Sequence, residues 1–163
     1  MDFLSCRNLT ETRPALFLLA GFCAAVLITA WIMEHVFGIQ ACQLCYYERY
    51  VYMAAGVVGL VGGVLNRNLC LGTLSLIFLF GFGLSFYHVG IQQGWFALPG
   101  FCQTAIFDPN ASIEDLRAQL LGTPMITCNI VSWDFFGISL AGYNALASLA
   151  LSVLTLSLYR RNR

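Results

Sequence analysis

The stretch CQLCYYERY, Cys42 to Tyr50, puts two thiols, a carboxylate and a guanidinium at the mouth of an apolar run that continues to Leu65. How that run is read decides the fold. From Tyr50 to Leu65 it has only 16 residues, too few to cross a bilayer alone. A hydrocarbon core of about 30 Å needs roughly 20 helical residues at about 1.5 Å each. The run reaches that length by extending back through Arg49, Glu48 and Cys45, with the Arg49 guanidinium snorkelling to the headgroups.

The rest of the chain favours that extension. Ala15 to Met33 is 19 residues without a charge, Leu69 to Tyr87 another 19, and Phe135 to Tyr159 is 25. Only 10% of the 163 residues are charged and 59% are hydrophobic, with mean hydropathy +0.76. Water-soluble domains carry about 25% charged residues, so this chain lacks the polar side chains to cover a wet surface. Uncharged apolar runs of this length set aside a soluble helical protein. The first run is too long for the apolar part of a signal peptide, and no small-residue cleavage site follows it. Formal net charge is zero, which gives no support to a nucleic-acid partner. The expectation is a single membrane domain over 1–163, all-α, an antiparallel four-helix transmembrane bundle. Its spans lie at about 15–33, 46–65, 69–88 and 135–159, and its larger loops at about 34–45 and 89–134.

All eight basic residues are arginine. Arg7, Arg13, Arg67, Arg160, Arg161 and Arg163 fall on the side that holds both termini; Arg49 and Arg117 fall on the other. The positive-inside rule puts the first side in the cytoplasm. Four of the seven cysteines, Cys42, Cys45, Cys102 and Cys128, then lie on the outer side, where disulfides persist. Cys6, Cys23 and Cys70 read as small apolar residues or inert thiols. In the long outer loop, Ser112 and Asp115 have capping spacing, and Ile113, Leu116 and Leu120 share one helical face. A short amphipathic helix is expected there, either on the membrane surface or packed on its own hairpin.

The C-x-x-C of Cys42 and Cys45 admits three readings. One is half of a zinc site completed by Cys102 and Cys128, although two cysteines 26 residues apart make a poor second knuckle. The second is a structural brace, although a bridge from Cys42 to Cys45 closes a loop too small to constrain much. The third is a redox pair at a helix N-terminus, where the helix dipole and a nearby cation favour thiolate. Arg49, one turn past Cys45, suits that role or the binding of an anion. Glu48 reads as a solvated interface carboxylate. A redox pair needs an electron acceptor, and the chain has no dinucleotide fingerprint or haem motif; no metal site is expected. A lipid-soluble acceptor would need only an apolar cleft and donors to its carbonyls. Arg49 and His88 are the candidates, with Gln92 one turn beyond His88.

These residues carry a resemblance. CQLCYYER, Cys42 to Arg49, resembles the C-x-L-C-x-x-E-R motif of the DsbB family of inner-membrane disulfide-bond-formation proteins. YHVGIQ, Tyr87 to Gln92, resembles that family's His-x-x-x-Gln stretch, and WDFFGISLAGYN, Trp133 to Asn144, is similar to its W-x-F-L-G-L-S-M-P-x-W-N segment. Leu140, Ala141 and Tyr143 depart from it, standing where Met, Pro and Trp are usual. The resemblance implies a monomeric, quinone-dependent thiol oxidase of the bacterial inner membrane, with both termini cytoplasmic and both larger loops periplasmic. Its partner would be a periplasmic DsbA-type thioredoxin-fold protein, whose thiolate attacks Cys102. Cys128 would exchange with Cys42, and Cys45 would pass electrons to ubiquinone or menaquinone held by Arg49 and His88. It also implies resting disulfides Cys42–Cys45 and Cys102–Cys128. A quinone reductase like the vitamin K epoxide reductases, or a non-enzymatic four-span scaffold with braced loops, are the alternatives.

Overall fold

The structure, a computed structural model, describes residues 3–102, 112 and 127–163, with side chains from residue 13 onward. Four helices carry it: α1 (Phe3–His35), α2 (Gln43–Val64), α3 (Arg67–Gln92) and α4 (Leu140–Arg161). A short 3-10 turn, Gly100–Cys102, follows α3, and two-residue strands β1 (Asp134–Phe135) and β2 (Ile138–Ser139) precede α4. The region that holds the expected amphipathic helix and Arg117 lies outside the described residues.

Three of the helices are long and apolar enough to cross a membrane: α1 from Arg13 to His35, α3 and α4. α2 has 22 residues and carries Glu48 and Arg49 near its start. α1 packs on α2, α2 on α3 and α3 on α4. Lipid tails are as apolar as leucine, so close packing and interhelical hydrogen bonds must hold such helices together. Both are present. A β-carbon added at Gly59 of α2 would stand 3.2 Å from the Leu16 carbonyl oxygen of α1, and one at Gly81 of α3 only 2.9 Å from Val51 of α2. Between α3 and α4 two serines bond reciprocally: Ser75 Oγ donates to the Ser152 carbonyl (3.2 Å) and Ser152 Oγ to that of Ser75 (3.0 Å). Leu16, Leu19, Cys23, Tyr52, Ala55, Leu71, Leu74 and Phe78 form the buried core. Cys23 thus packs as an apolar side chain. Leu18, Val57, Val64, Leu76 and Phe80 point outward and exposed, as side chains facing lipid would.

The fourth helix starts at Leu140, five residues later than the apolar run predicts. Phe136 (φ 51°) and Gly137 (φ 75°) both take positive φ, the mark of a tight two-residue hairpin turn. Asp134 then pairs with Ser139 and Phe135 with Ile138. Ser139 caps the helix, its Oγ accepting from the Gly142 N–H at 3.2 Å. Tyr143, one of the departures from the family pattern, donates its hydroxyl to the Phe135 carbonyl (2.9 Å) and ties the hairpin to the first turn of α4.

Candidate active site

Local sequence sets the site. Cys42 is extended (φ −76°, ψ 171°) and stands as the N-cap of α2, its Sγ accepting from the Cys45 N–H at 3.4 Å. The x-x spacing therefore brings Cys45 back over the cap, and the two sulfurs lie 3.0 Å apart. Both are thiols, whereas Cys102 and Cys128 are joined in a disulfide. The second of the two expected bridges is present; the first pair has its dithiol form. Both pairs share one buried cluster: Cys42, Cys102 and Cys128 pack with Leu44 and Ile91, and Cys45 sits against it. An edge-on contact between Tyr47 and Phe101 (6.2 Å) holds the Cys102 turn on α2. With Cys102 and Cys128 joined to each other, the four-cysteine zinc site is ruled out for this form.

α3 delivers His88 to the same place. Its Nε2 is 3.5 Å from Cys42 Sγ and its Nδ1 is 2.9 Å from Glu48 Oε1. The reading of Glu48 as a solvated interface carboxylate is overturned. It is buried, and its second oxygen accepts from Asn144 Nδ2 at 2.8 Å. Asn144 in turn donates to Ser85 Oγ (2.8 Å) and accepts from the Tyr52 hydroxyl (2.6 Å). A carboxylate inside a bundle is costly unless its lone pairs are satisfied. Here α2, α3 and α4 each supply a side chain to that network. Arg49 turns instead toward α1, where it pairs with the Glu34 carboxylate and donates to the Ala30 carbonyl (3.4 Å); Tyr46 stacks under the guanidinium at 5.0 Å and bonds Glu34 at 2.6 Å.

Cys42 bears the charge of the pair. The hydrogen bond from the Cys45 thiol, and then the one from His88, outweigh burial and lower its pKa from 9.0 to about 4. In that bond the Cys45 thiol is the donor. Beside the sulfurs opens a cavity of about 410 Å³ with walls from all four helices, lined by Cys42, Cys45, Glu48, Arg49, His88 and Gln92 among apolar side chains such as Val26, Met33 and Trp133. The buried Gln92 Oε1 has no partner among the described residues. Of the residues singled out from sequence, Cys42, Cys45, Cys102, Cys128 and His88 converge, and Arg49 lines the same cavity. Glu48, Asn144, Ser85, Tyr52 and Glu34 were missed. The signals for Asn144 were an amide within a long apolar run and its place at the end of the segment similar to the family's.

A family profile described as disulfide bond formation protein DsbB matches residues 12–158. The chain belongs to the DsbB family. It is 33% identical over 148 residues to the disulfide bond formation protein B of Marinobacter nauticus, covering 82% of this chain and 83% of that protein. It is 28% identical over 144 residues to disulfide bond formation protein B 1 of Pseudomonas aeruginosa (83% and 87% covered), and 30% identical over 131 residues to an uncharacterized protein of Rickettsia prowazekii (78% and 76%). DsbB membership and three membrane-length helices together make this a membrane protein.

Proposed function

We propose that the chain is a thiol oxidase of the bacterial inner membrane. It takes two electrons and two protons from a reduced DsbA-type thioredoxin-fold partner and delivers them, through Cys102–Cys128 and then Cys42–Cys45, to ubiquinone or menaquinone. The observation that carries this reading is the burial of both cysteine pairs in one cluster beside an apolar cavity. In this reading α2, about 33 Å long at 1.5 Å per residue, is the fourth span of an antiparallel bundle, with its charge absorbed by the Glu48 network and the Arg49–Glu34 pair. The arginine bias supports cytoplasmic termini and a periplasmic site.

The exchange balances as follows. A partner thiolate attacks Cys102 and frees Cys128. Cys128 attacks Cys42, opening a Cys42–Cys45 disulfide and freeing Cys45. The partner's second thiolate displaces Cys102, which leaves the partner oxidised. Cys102 then attacks Cys128, re-forms the Cys102–Cys128 bond and expels Cys42. A thiol of low pKa leaves faster, so the charge stabilisation at Cys42 favours this last step. The product has Cys102–Cys128 joined, Cys42 as thiolate and Cys45 as thiol, which is the arrangement described above.

A quinone fits the residues present: apolar walls suit its ring, Arg49 has N–H groups beyond those given to Glu34 and Ala30 to offer a carbonyl, and the partnerless Gln92 Oε1 would accept from a hydroxyl of the quinol product. When bound, it would accept two electrons and two protons and leave as quinol. His88 uses both ring nitrogens on Cys42 and Glu48, so its role here is to hold the Cys42 charge. Purified protein supplied with quinone should oxidise a reduced thioredoxin-fold partner through many turnovers. Cys42→Ser and Cys102→Ser should each abolish it; full turnover in either would end this reading.

A further inference from the structure

We propose that Cys42, Cys45 and His88 form a redox-gated site for a thiophilic divalent cation of the zinc class. Their ligand atoms all lie within 4.8 Å of one another, with the sulfurs 3.0 Å apart and His88 Nε2 3.5 Å from Cys42 Sγ. Zinc–sulfur bonds of about 2.3 Å and zinc–nitrogen bonds of about 2.0–2.1 Å set tetrahedral ligand atoms roughly 3.6–3.8 Å apart. The sulfurs need to open by less than about 1 Å. A ligating histidine characteristically gives its other ring nitrogen to a carboxylate, which fixes the ring and strengthens the donor. Glu48 holds His88 Nδ1 at 2.9 Å in that way, and Asn144 anchors Glu48 from α4. Three protein ligands leave the fourth position to the cavity on which all three residues open.

Binding is an exchange of protons for a cation. Protons on the ligand atoms leave to solvent, two metal–thiolate bonds form, and no electron moves. In a disulfide the sulfurs lie about 2.05 Å apart and carry no charge to share with a metal. Cation and Cys42–Cys45 bridge therefore exclude each other, and a bound cation arrests the pair in its reduced form. This site differs from the four-cysteine arrangement, since Cys102 and Cys128 take no part in it. It does not depend on which acceptor the pair serves.

Cobalt(II) alone tests it on the full chain in detergent, reduced with a phosphine and free of quinone and partner. One equivalent should give the intense visible bands of a tetrahedral ion together with thiolate-to-cobalt charge transfer. Oxidising the pair beforehand should abolish both. Cys102→Ser/Cys128→Ser should retain the spectrum, Cys42→Ser/Cys45→Ser should lose the charge transfer, and Glu48→Gln should weaken affinity about 10–100-fold. In the unsubstituted chain, which carries no folding risk, zinc(II) should slow maleimide labelling of Cys42. A pale octahedral spectrum, binding that survives oxidation or follows Cys102 and Cys128, or labelling indifferent to zinc would each overturn the proposal.

Discussion

The charge on Cys42 is open to direct measurement. Its pKa near 4 makes it almost wholly thiolate at neutral pH, whereas a thiol at 9.0 would be about one part in a hundred thiolate at pH 7. Only the thiolate is alkylated. With the pair reduced, the rate of Cys42 alkylation by iodoacetamide, followed by peptide mass spectrometry, should stay within about twofold from pH 5.5 to 8.5. An ordinary thiol would gain about tenfold per pH unit over most of that window. Cys45→Ala removes the donor that contributes most to the lowering. A hydrogen bond to a charged group is worth about 1.5–3 kcal/mol. At about 1.4 kcal/mol per pH unit, the midpoint should climb by about 1–2 pH units, with the His88 contact still in place. A rate in the parent protein that climbs steeply through neutrality would refute the geometry. An unmoved midpoint in Cys45→Ala would refute the assignment of its cause.

Other substitutions separate chemistry from packing. Arg49→Ala should raise the apparent KM for quinone and leave exchange between the partner and Cys102–Cys128 unchanged in stopped-flow; an unchanged KM would remove Arg49 from the cavity's working set. Glu48→Gln can keep its oxygen toward Asn144 only by turning its amide N–H to His88 Nδ1, and it loses a buried hydrogen bond to a charged group worth about 1.5–3 kcal/mol. It should lower the thermal midpoint in detergent and flatten less the alkylation profile of Cys42. Ser75→Ala with Ser152→Ala should cost about 0.6 kcal/mol per lost interhelical bond, read as a small drop in that midpoint. Gly81→Val forces side-chain atoms into Val51 and should cost about 1–3 kcal/mol while sparing the apparent KM for quinone, since neither residue lines the cavity.

Much of this was legible in the chain because bilayer physics writes in long runs. Uncharged stretches of span length marked α1, α3 and α4, and the second span, expected from about residue 46, starts at Gln43 with Cys42 as its cap. The start of α4 was misjudged because Phe135 to Ser139 are as apolar as the helix; only Gly137 hinted at a turn, and it needed a neighbour at positive φ to close one. Cys42, Cys45 and Arg49 declared themselves by local spacing. Glu48 did not, since its partners His88 and Asn144 lie 40 and 96 residues away and no spacing rule reaches that far. Consecutive helical residues point about 100° apart, so Arg49 reaches α1 and Glu48 the interior.

A residue that caps a helix is usually a fixed part of its architecture. Cys42 is the cap of α2 and, in the proposed cycle, also carries a sulfur that gains and loses electrons. As thiolate it is a strong acceptor for the Cys45 amide; once bonded to Cys45 it is a neutral, weak one. Each turn of the proposed cycle would therefore loosen and refasten the first turn of α2. The amide proton of Cys45 becomes a gauge of the electron count: its resonance and its exchange with solvent should switch between two values as the pair cycles, without any reporter being added.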